Sequence, residues 1–308
     1  MTTLAALSTS TEVFDTTREA ILRGDVHDGM ATLRTSLREM RSLLPTSEWA
    51  LIGEQARRHP LHGLLLESPF TRRAYEKPRG YAGDAVLMDL IYGIAAPSDD
   101  LSPLGGMLYG YEFDSPCFQS VRTRRAILAR EIDKVASSRP NASVLSVASG
   151  HLREIDWSCA GRSGGVAITA IDQDRESLEC IGRDYRRYRV STMPVTIGDL
   201  LRRSVRFEDV DLVYAAGLYD YLEDDLARAL TTTLFRTLGP GGRLLIANFT
   251  PATHDAAFME TFMDWRLIYR TPDAVRALAA AINPDDIGTI EQFSDENQHV
   301  TYMRLVRR

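Results

Sequence analysis

The stretch that decides the fold is Val144-Leu145-Ser146-Val147-Ala148-Ser149-Gly150, an apolar run that ends in small residues. A second run, Val166-Ala167-Ile168-Thr169-Ala170-Ile171-Asp172, follows it and ends in an acid. A buried strand, a small-residue turn, a helix and a second strand with a terminal acid predict one nucleotide-binding half of a doubly wound sheet. The small residues let backbone N–H groups approach a ligand, and the acid accepts hydrogen bonds from the two hydroxyls of a ribose.

The composition is typical of a globular protein. The chain has 308 residues, of which 44% are hydrophobic and 25% charged, and its formal net charge is −6. This acidic balance argues against a nucleic-acid surface, because phosphates are neutralised by clustered Lys and Arg. No apolar run approaches the roughly 20 residues of a membrane span, and the segment 1–7 lacks the basic start of a secretion signal. We therefore expect a cytoplasmic protein that binds neither nucleic acid nor a membrane.

Cysteine and histidine usage gives no sign of a metal centre. The three cysteines, Cys117, Cys159 and Cys180, have no metal-like spacing, and such a sparse, odd set fits reduced thiols. The six histidines are scattered, without a paired Cys/His cluster. We therefore expect no protein metal site.

The first part of the chain, to about residue 138, has helical patterns. Apolar residues recur at three- and four-residue spacing over 30–44, which indicates one face of a helix. Further helices are predicted over 85–92, with Asp84 as N-cap, and over 118–136, ending before Arg139 because Pro140 follows. The turn residues of 95–106 predict a loop.

From residue 142 onward, strand-like runs alternate with helical ones, which predicts a parallel sheet covered by helices. The terminal runs 287–293 and 299–306 predict an antiparallel hairpin. The other predicted elements are a helix over 175–188, strands over 193–197 and 211–216, a helix over 224–238, a tight turn over 239–242, a strand over 243–249 and a helical stretch through 281.

These motifs, in this order, resemble the class I S-adenosylmethionine-dependent methyltransferases. Gly217-Leu218-Tyr219-Asp220-Tyr221-Leu222 and the turn at Pro240 strengthen the match, whereas the first loop has one glycine only and Ser146 stands where an acid is common. The resemblance implies an α/β, Rossmann-like, seven-stranded doubly wound sheet with a terminal antiparallel strand. The segments 77–84 and 264–270 extend the resemblance to bacterial members with a helical N-terminal extension. It implies a helical lid or substrate domain over 1–138 and a cofactor-binding domain over 139–308.

S-adenosylmethionine is the cofactor that this resemblance implies. Asp172 would bind the ribose, with Asp174 as the better helix cap, and Asp199 would accept from the adenine amino group. Gly150 would pass beneath the methionine part and Asp84 would accept from its amino group, with helix capping as the alternative for Asp84. The candidate cofactor-binding residues are Tyr81, Asp84, Ala148, Ser149, Gly150, Asp172, Gln173, Asp199, Leu200 (through its N–H), Ala215, Ala216 and Gly217.

Aromatic side chains can stabilise a cation such as sulfonium, and a histidine can act as a base near neutral pH. For each of these residues ordinary packing is the alternative, and for Arg270 it is neutralisation of Asp264. The candidate catalytic residues are Tyr81, His151, Tyr219 and Tyr221, and the candidate substrate-binding residues are Asn248, Trp265, Tyr269 and Arg270, with Trp265 and Tyr269 on one helical face.

Three functions remain open at this point. The first is methyl transfer to a small molecule, in bacterial secondary metabolism. The second keeps the fold and cofactor but has the cofactor's own amine attack its γ-carbon, which gives azetidine-2-carboxylate and methylthioadenosine. The third is a non-catalytic nucleotide-binding regulatory module. The expected partner is a small-molecule substrate, and the sequence carries no signal for the oligomeric state.

Overall fold

The computed structural model describes residues 3–98 and 100–308. Met1 and Thr2, which belong to the segment without a secretion signal, and Asp99 of the expected loop lie outside the described residues. The chain divides into two compact units, which are described separately. The first comprises the chain up to Gln119 together with His254–Arg266, and the second comprises Ser120–Thr253 and Leu267–Arg308.

Helices make up the regular structure described for the first unit and flank the strands of the second. In chain order they are α1 (Thr3–Arg23), α2 (Val26–Leu43), α3 (Thr46–Arg58), α4 (Pro60–Leu65), α5 (Pro69–Glu76), α6 (Ala85–Ile91), α7 (Pro103–Phe113), α8 (Pro116–Ser138), α9 (Cys159–Ser163), α10 (Arg175–Asp184), α11 (Ile197–Leu201), α12 (Asp224–Arg236), α13 (Ala256–Phe262) and α14 (Pro272–Ala277). Short 3-10 turns occur at Arg153–Trp157, Tyr219–Tyr221 and Pro284–Asp286.

The described strands form one seven-stranded mixed sheet in the second unit. The strands are β1 (Ala142–Val147), β2 (Val166–Asp172), β3 (Val190–Pro194), β4 (Val210–Ala215), β5 (Leu238–Phe249), β6 (Ile287–Ser294) and β7 (Val300–Arg307). Their order is β3-β2-β1-β4-β5-β7-β6; the first five pair in parallel, and β7 is antiparallel to both β5 and β6. The predicted doubly wound sheet and its terminal antiparallel hairpin are therefore confirmed.

In the first unit, α13 is fixed by a buried carboxylate. Glu260 accepts two hydrogen bonds from the Arg41 guanidinium, at 2.8 and 2.9 Å, and one from Trp49 Nε1 at 2.6 Å. Arg41 lies on α2 and Trp49 on α3, so one side chain joins three helices. The predicted apolar face of α2 is buried here, and Phe262 of α13 packs edge-on against Phe14.

Three predicted boundaries are corrected by local capping and close packing. The loop predicted over 95–106 ends earlier, because Pro103 begins α7 and the Ser102 hydroxyl accepts the Gly105 N–H at 2.9 Å. Ile197 begins α11 instead of ending a strand, because Thr196 and Asp199 form a capping box. The expected tight turn at 239–242 lies inside β5, where the register with β4 shifts.

The region around residues 264–271 is extended, which corrects the predicted helix. Asp264 has a φ of +46°, and the Ile268 and Arg270 N–H groups donate to carbonyls of Asp220 and Phe249 at 2.7 and 2.9 Å. These backbone N–H groups are used by neighbouring segments, so they cannot form the i to i−4 bonds of a helix. Trp265 and Tyr269 therefore do not share a helical face.

The boundary between the units also differs from the predicted division at 138/139. Most of α8 belongs to the second unit, because its side chains are bound there: Arg125 donates to Asp156 at 2.9 Å, and Glu131 pairs with Arg304 at 2.6 Å. The segment His254–Arg266 joins the first unit instead of the second.

Candidate functional site

The candidate site lies at the carboxyl ends of β1, β2 and β4. β1 pairs in parallel with both of the others, and the strand order reverses between β1 and β4, which is where open α/β sheets bind ligands. Small residues occupy this edge. Ala148 and Gly217 are exposed and Ala216 is half-buried. A Cβ on Gly217 would meet only the tip of Arg124, at 3.8 Å, so the sheet leaves open space at this point.

The loop after β1 bends sharply. Ala148, Gly150 and Leu152 have φ values of 52°, 52° and 57°, a left-handed conformation that costs a non-glycine residue about 1–2 kcal/mol. The Ser149 N–H donates to the carbonyl of Ile171 at 3.1 Å, which ties the loop to β2. The Ser149 hydroxyl is buried and has no hydrogen-bond partner among the described residues. Because buried hydroxyls are normally satisfied, a polar ligand group fits beside it.

Asp172, at the end of β2, is anchored by the backbone. Its Oδ2 accepts the Gly150 N–H and its Oδ1 the Asp174 N–H, both at 2.9 Å. Each carboxylate oxygen retains a second lone pair, so the group can still accept from two hydroxyls. Burial raises the pKa of Asp172, while the two backbone donors oppose this rise. Asp174 caps α10 by accepting the Glu176 N–H at 3.0 Å, so its predicted capping role is confirmed.

Two residues predicted to contact the adenine ring, Asp199 and Leu200, form hydrogen bonds within and at the start of α11. The Asp199 carboxylate accepts from the Thr196 hydroxyl and N–H at 2.6 and 3.0 Å and pairs with Arg202. These interactions, above all the hydrogen bond from the Thr196 hydroxyl, lower the pKa of Asp199 to about 2. The Leu200 N–H donates to Thr196 O at 3.3 Å, which is at odds with its predicted contact to a ring nitrogen. Gln173 is exposed at the end of β2.

A group of buried charged residues at the base of this edge was not predicted from the sequence. Arg124 donates to Ala216 O at 2.7 Å, and Tyr214 donates to the Glu154 carboxylate at 2.5 Å. Asp220 accepts the Phe249 N–H at 2.7 Å, and burial raises its pKa to about 6. Asp220 stands inside the Gly-Leu-Tyr-Asp-Tyr motif, which was a usable signal. Arg124 and Glu154 come from segments that gave none.

Tyr219 is corrected from catalytic candidate to core residue. It is fully buried, and its hydroxyl bonds with the Thr231 hydroxyl at 3.0 Å. Tyr221, two residues later, is 39% exposed, so its ring is accessible. His151 is buried beside the first loop. Tyr81 is half-buried in the first unit, and the roles of these last three residues stay predictions.

Arg270 and Asn248 are also corrected, from substrate binding to internal bonding. Arg270 is 3% exposed and donates to Tyr219 O, to Leu222 O and to Asn248 Oδ1 at 2.8, 2.5 and 2.8 Å. It also pairs with Asp224 at 2.8 Å, instead of with Asp264 as the alternative had it. The Asn248 amide donates to Phe249 O and Ile268 O. These polar atoms hold the extended segment against the end of β5, so they are not available to a substrate.

In the first unit, Asp84 has the capping role that was the alternative to cofactor binding. It is fully buried, it accepts two hydrogen bonds from Arg73 at 2.8 Å, and its Oδ1 accepts the Leu87 N–H at 2.9 Å. Lys77, at the start of the segment 77–84, pairs with Asp264 at 2.6 Å. The structure thus brings together the predicted residues of β1, β2 and β4, and assigns Asp84 to helix capping.

Trp265 is buried in the first unit, whereas Tyr269 is half-buried in the second.

The described residues contain neither a membrane-spanning helix nor a metal-binding cluster. None of the described helices is long and apolar enough to cross a membrane. Among residues 3–98 and 100–308, no cluster of three or more His, Cys, Asp or Glu side chains is placed to hold a metal ion.

Comparison with known proteins supports the fold. No protein-family model matches the chain, and no curated protein matches it in sequence. Among solved structures, one similar protein is described as a possible exported protein from Bordetella parapertussis, with 20% identity and a TM-score of 0.63 over 87% of this chain and 98% of that one. Another is the magnesium protoporphyrin IX methyltransferase of Synechocystis with bound S-adenosylhomocysteine (SAH), with 12% identity and a TM-score of 0.51 over 76% of this chain and 100% of that one. The chain therefore has the Rossmann-like fold of class I methyltransferases.

Proposed function

We propose that this protein is an S-adenosylmethionine-dependent transferase that methylates a small molecule. The observation that carries the proposal is the Asp172 carboxylate, fixed by the Gly150 and Asp174 N–H groups at the strand end where the sheet order reverses. This carboxylate suits a ribose diol, because each oxygen keeps a free lone pair. The methyltransferase fold agrees with this assignment.

The residues at the carboxyl ends of β1, β2 and β4, which form the proposed cofactor crevice, have separate tasks. Asp172 holds the ribose, and the left-handed bend at Ala148 and Gly150 makes room for the amino-acid tail of the cofactor. The buried Ser149 hydroxyl becomes a hydrogen-bond partner of that tail. Ala216 and Gly217 leave space beside the sulfur at the end of β4. Bound S-adenosylmethionine supplies a methyl group on a positive sulfur, which an acceptor atom displaces in line.

For a displacement of this type, the protein contributes mainly proximity and alignment. An accessible aromatic ring such as Tyr221 would bind and orient the positively charged sulfur before the reaction. The displacement itself needs no strong acid, because the sulfur loses its charge as the methyl group leaves. Because Tyr219, Asn248 and Arg270 are committed to internal bonds, they are no longer part of the proposed machinery. The proposal also includes a small-molecule acceptor, a place in secondary metabolism and a cytoplasmic location. It further includes a role of the N-terminal helices as a lid. The three free cysteines agree with a reducing compartment.

One incubation separates the reactions that the fold permits. The full chain is incubated with S-adenosylmethionine alone and with S-adenosylmethionine plus a bacterial small-molecule extract, and the products are identified by mass spectrometry. SAH that forms only with the extract is the expected result. Methylthioadenosine formed without any acceptor would show that the reaction is cyclisation of the cofactor and not methyl transfer. If calorimetry detects cofactor binding but no product forms, the protein is a regulatory module and not a transferase. If no cofactor binds, the proposal is overturned.

A further inference from the structure

The first unit contains an open cavity of about 640 Å³ between a face of α2 and a face of α7. This volume lies within the range of small-molecule sites, about 300–1,000 Å³. Small residues make the room: Ala31 lies on the α2 side and Gly110 on the α7 side. A Cβ on Gly110 would meet no atom within 4 Å, so the space beside this helix is open.

The inner wall of the cavity is charged but balanced within the protein. Arg34 donates to Asp255 at 2.6 Å, and its second terminal nitrogen lies 3.9 Å from Glu112. The guanidinium also lies 5.0 Å from the ring centre of Tyr111 and 4.8 Å from that of Phe258. A cation with two carboxylates and two aromatic faces around it is stabilised in place. Arg34 is therefore a fixed part of the wall.

Two further charged side chains on this cavity have no such partners. Arg38 lies on α2, one turn after Arg34, and Asp114 is the C-cap residue of α7. Both residues are exposed. Among the described residues, neither side chain has a hydrogen bond, an ion pair or a ring contact. The lining of the cavity therefore includes one cation on α2 and one anion at the end of α7 that have no partner within the part of the protein that the structure describes.

This pair of charges selects among ligand classes. A polyanion such as a nucleotide phosphate would face one available cation together with Asp114 and Asp255. A simple amine would be repelled by the like charge of Arg38. An apolar molecule would remove water from both charged groups without replacing the hydrogen bonds that water makes to them. A molecule with one carboxylate and one ammonium group matches both side chains. Met107 and Tyr111 supply an apolar, aromatic wall beside them.

We infer that this cavity of the first unit binds a free α-amino acid with an aromatic side chain, whose carboxylate pairs with Arg38 and whose ammonium pairs with Asp114. The aromatic ring lies against Tyr111 and Met107. The inference does not depend on cofactor binding, because every residue that carries it belongs to the first unit.

Calorimetry with three related probes tests the charge pattern in the full chain, without S-adenosylmethionine. The probes are L-phenylalanine, 3-phenylpropanoate, which lacks the ammonium, and 2-phenylethylamine, which lacks the carboxylate. We expect L-phenylalanine to bind at least about tenfold more tightly than either analogue, since each charge-assisted contact contributes about that factor.

Two variants assign the contacts to their residues. Arg38→Gln should weaken binding of L-phenylalanine about tenfold and leave that of 2-phenylethylamine unchanged, whereas Asp114→Asn should weaken L-phenylalanine and leave 3-phenylpropanoate unchanged. Both positions are exposed, so neither substitution threatens the fold. Arg58→Gln is the matched control, because Arg58 is an exposed arginine on α3 with 82% of its side chain accessible. This substitution should leave the affinity for each of the three probes unchanged.

The inference is overturned by any of three results: no binding of L-phenylalanine up to about 10 mM, equal affinities for the three probes, or an unchanged affinity in Arg38→Gln. Asp172→Ala separates this site from the proposed cofactor site. Binding of L-phenylalanine should persist in that variant, and its loss would place the amino acid in the second unit instead.

Discussion

Asp172 has a carboxylate that two backbone N–H groups orient and that the surrounding protein buries. Asp220 is also buried, and the Phe249 N–H donates to its carboxylate. Desolvation raises the pKa of both groups. The two residues differ in their surroundings. Asp172 ends a strand beside β1, where the strand order of the sheet reverses, whereas the segment around Ile268 bonds to the backbone of Asp220.

Asp172→Ala should weaken binding of S-adenosylmethionine by roughly one to three orders of magnitude, because charge-assisted hydrogen bonds to the ribose are lost. Isothermal calorimetry of the wild type and the variant measures the change. Glu179→Ala is the control, since Glu179 is an exposed acid on the neighbouring α10, and it should bind as the wild type does. Unchanged affinity in Asp172→Ala would remove the ribose assignment.

Asp220 should make stability depend on pH in a defined window. Its pKa of about 6 lies above the ordinary value of 3.8, so the folded state holds the proton more tightly than the unfolded state. Its contribution is fully present below pH 4 and is lost as the pH rises to 6. Asp220→Asn, which mimics the protonated group, should therefore become more stable than the wild type as the pH rises, by about 3 kcal/mol at pH 7.

Urea unfolding of both proteins at pH 4, 5, 6 and 7 measures this difference in the free energy of unfolding. Glu223→Gln serves as control, because Glu223 is exposed three residues away and should show no trend. A difference between Asp220→Asn and the wild type that stays constant across the range would contradict the prediction.

At the scale of elements, the bulge at the start of β5 depends on one glycine. A Cβ on Gly242 would lie 2.6 Å from Val210 O and 2.9 Å from Gly239 O. These atoms belong to the backbone of β4 and β5 and cannot move without breaking the register. This close approach explains why the expected turn is built into the sheet as an irregular part of a strand.

Gly242→Ala should destabilise the protein by about 3 kcal/mol, because the methyl group forces β4 and β5 apart. Gly182→Ala on α10 is a matched control, since a Cβ there meets nothing within 4 Å. The control should be neutral or gain up to about 1 kcal/mol, as helix propensity predicts. Chemical unfolding measures both variants, and equal stabilities would refute the close-approach argument.

Element types were predictable where the signal is local. The period of apolar residues identified α2, and Pro140 required the helix predicted over 118–136 to end before Arg139, as α8 does at Ser138. The extended segment before α14 was not predictable, because its conformation is set by backbone bonds to Asp220 and Phe249, which are distant in sequence. For the same reason the roles of Arg270 and Asn248 were wrong.

At the scale of the molecule, the chain leaves the second unit after Thr253 and returns to it at Leu267. The intervening segment supplies Glu260 and Asp255 to the first unit, where they pair with Arg41 and Arg34. Each unit thus has its own charged contacts, and the proposed cofactor crevice rests on residues of the second unit alone.

SAH at about 100 times its dissociation constant should stabilise the folded protein by about 2.7 kcal/mol, because it binds the native state and not the unfolded chain. Scanning calorimetry with and without SAH detects this as a higher unfolding midpoint. Asp172→Ala at the same SAH concentration should show a much smaller rise. An equal rise in both proteins would place SAH away from the crevice.

The sequence by itself determined the sheet, its terminal hairpin and the position of Asp172 at a strand end, because hydrophobic period and turn residues act over a few positions and parallel strands end at one edge. Only the tertiary structure decided which polar groups are left for a ligand. Asp84, Asn248 and Arg270 are used internally, while Arg38 and Asp114 are not. Burial and hydrogen-bond partners depend on residues far apart in the chain, and no local pattern encodes them.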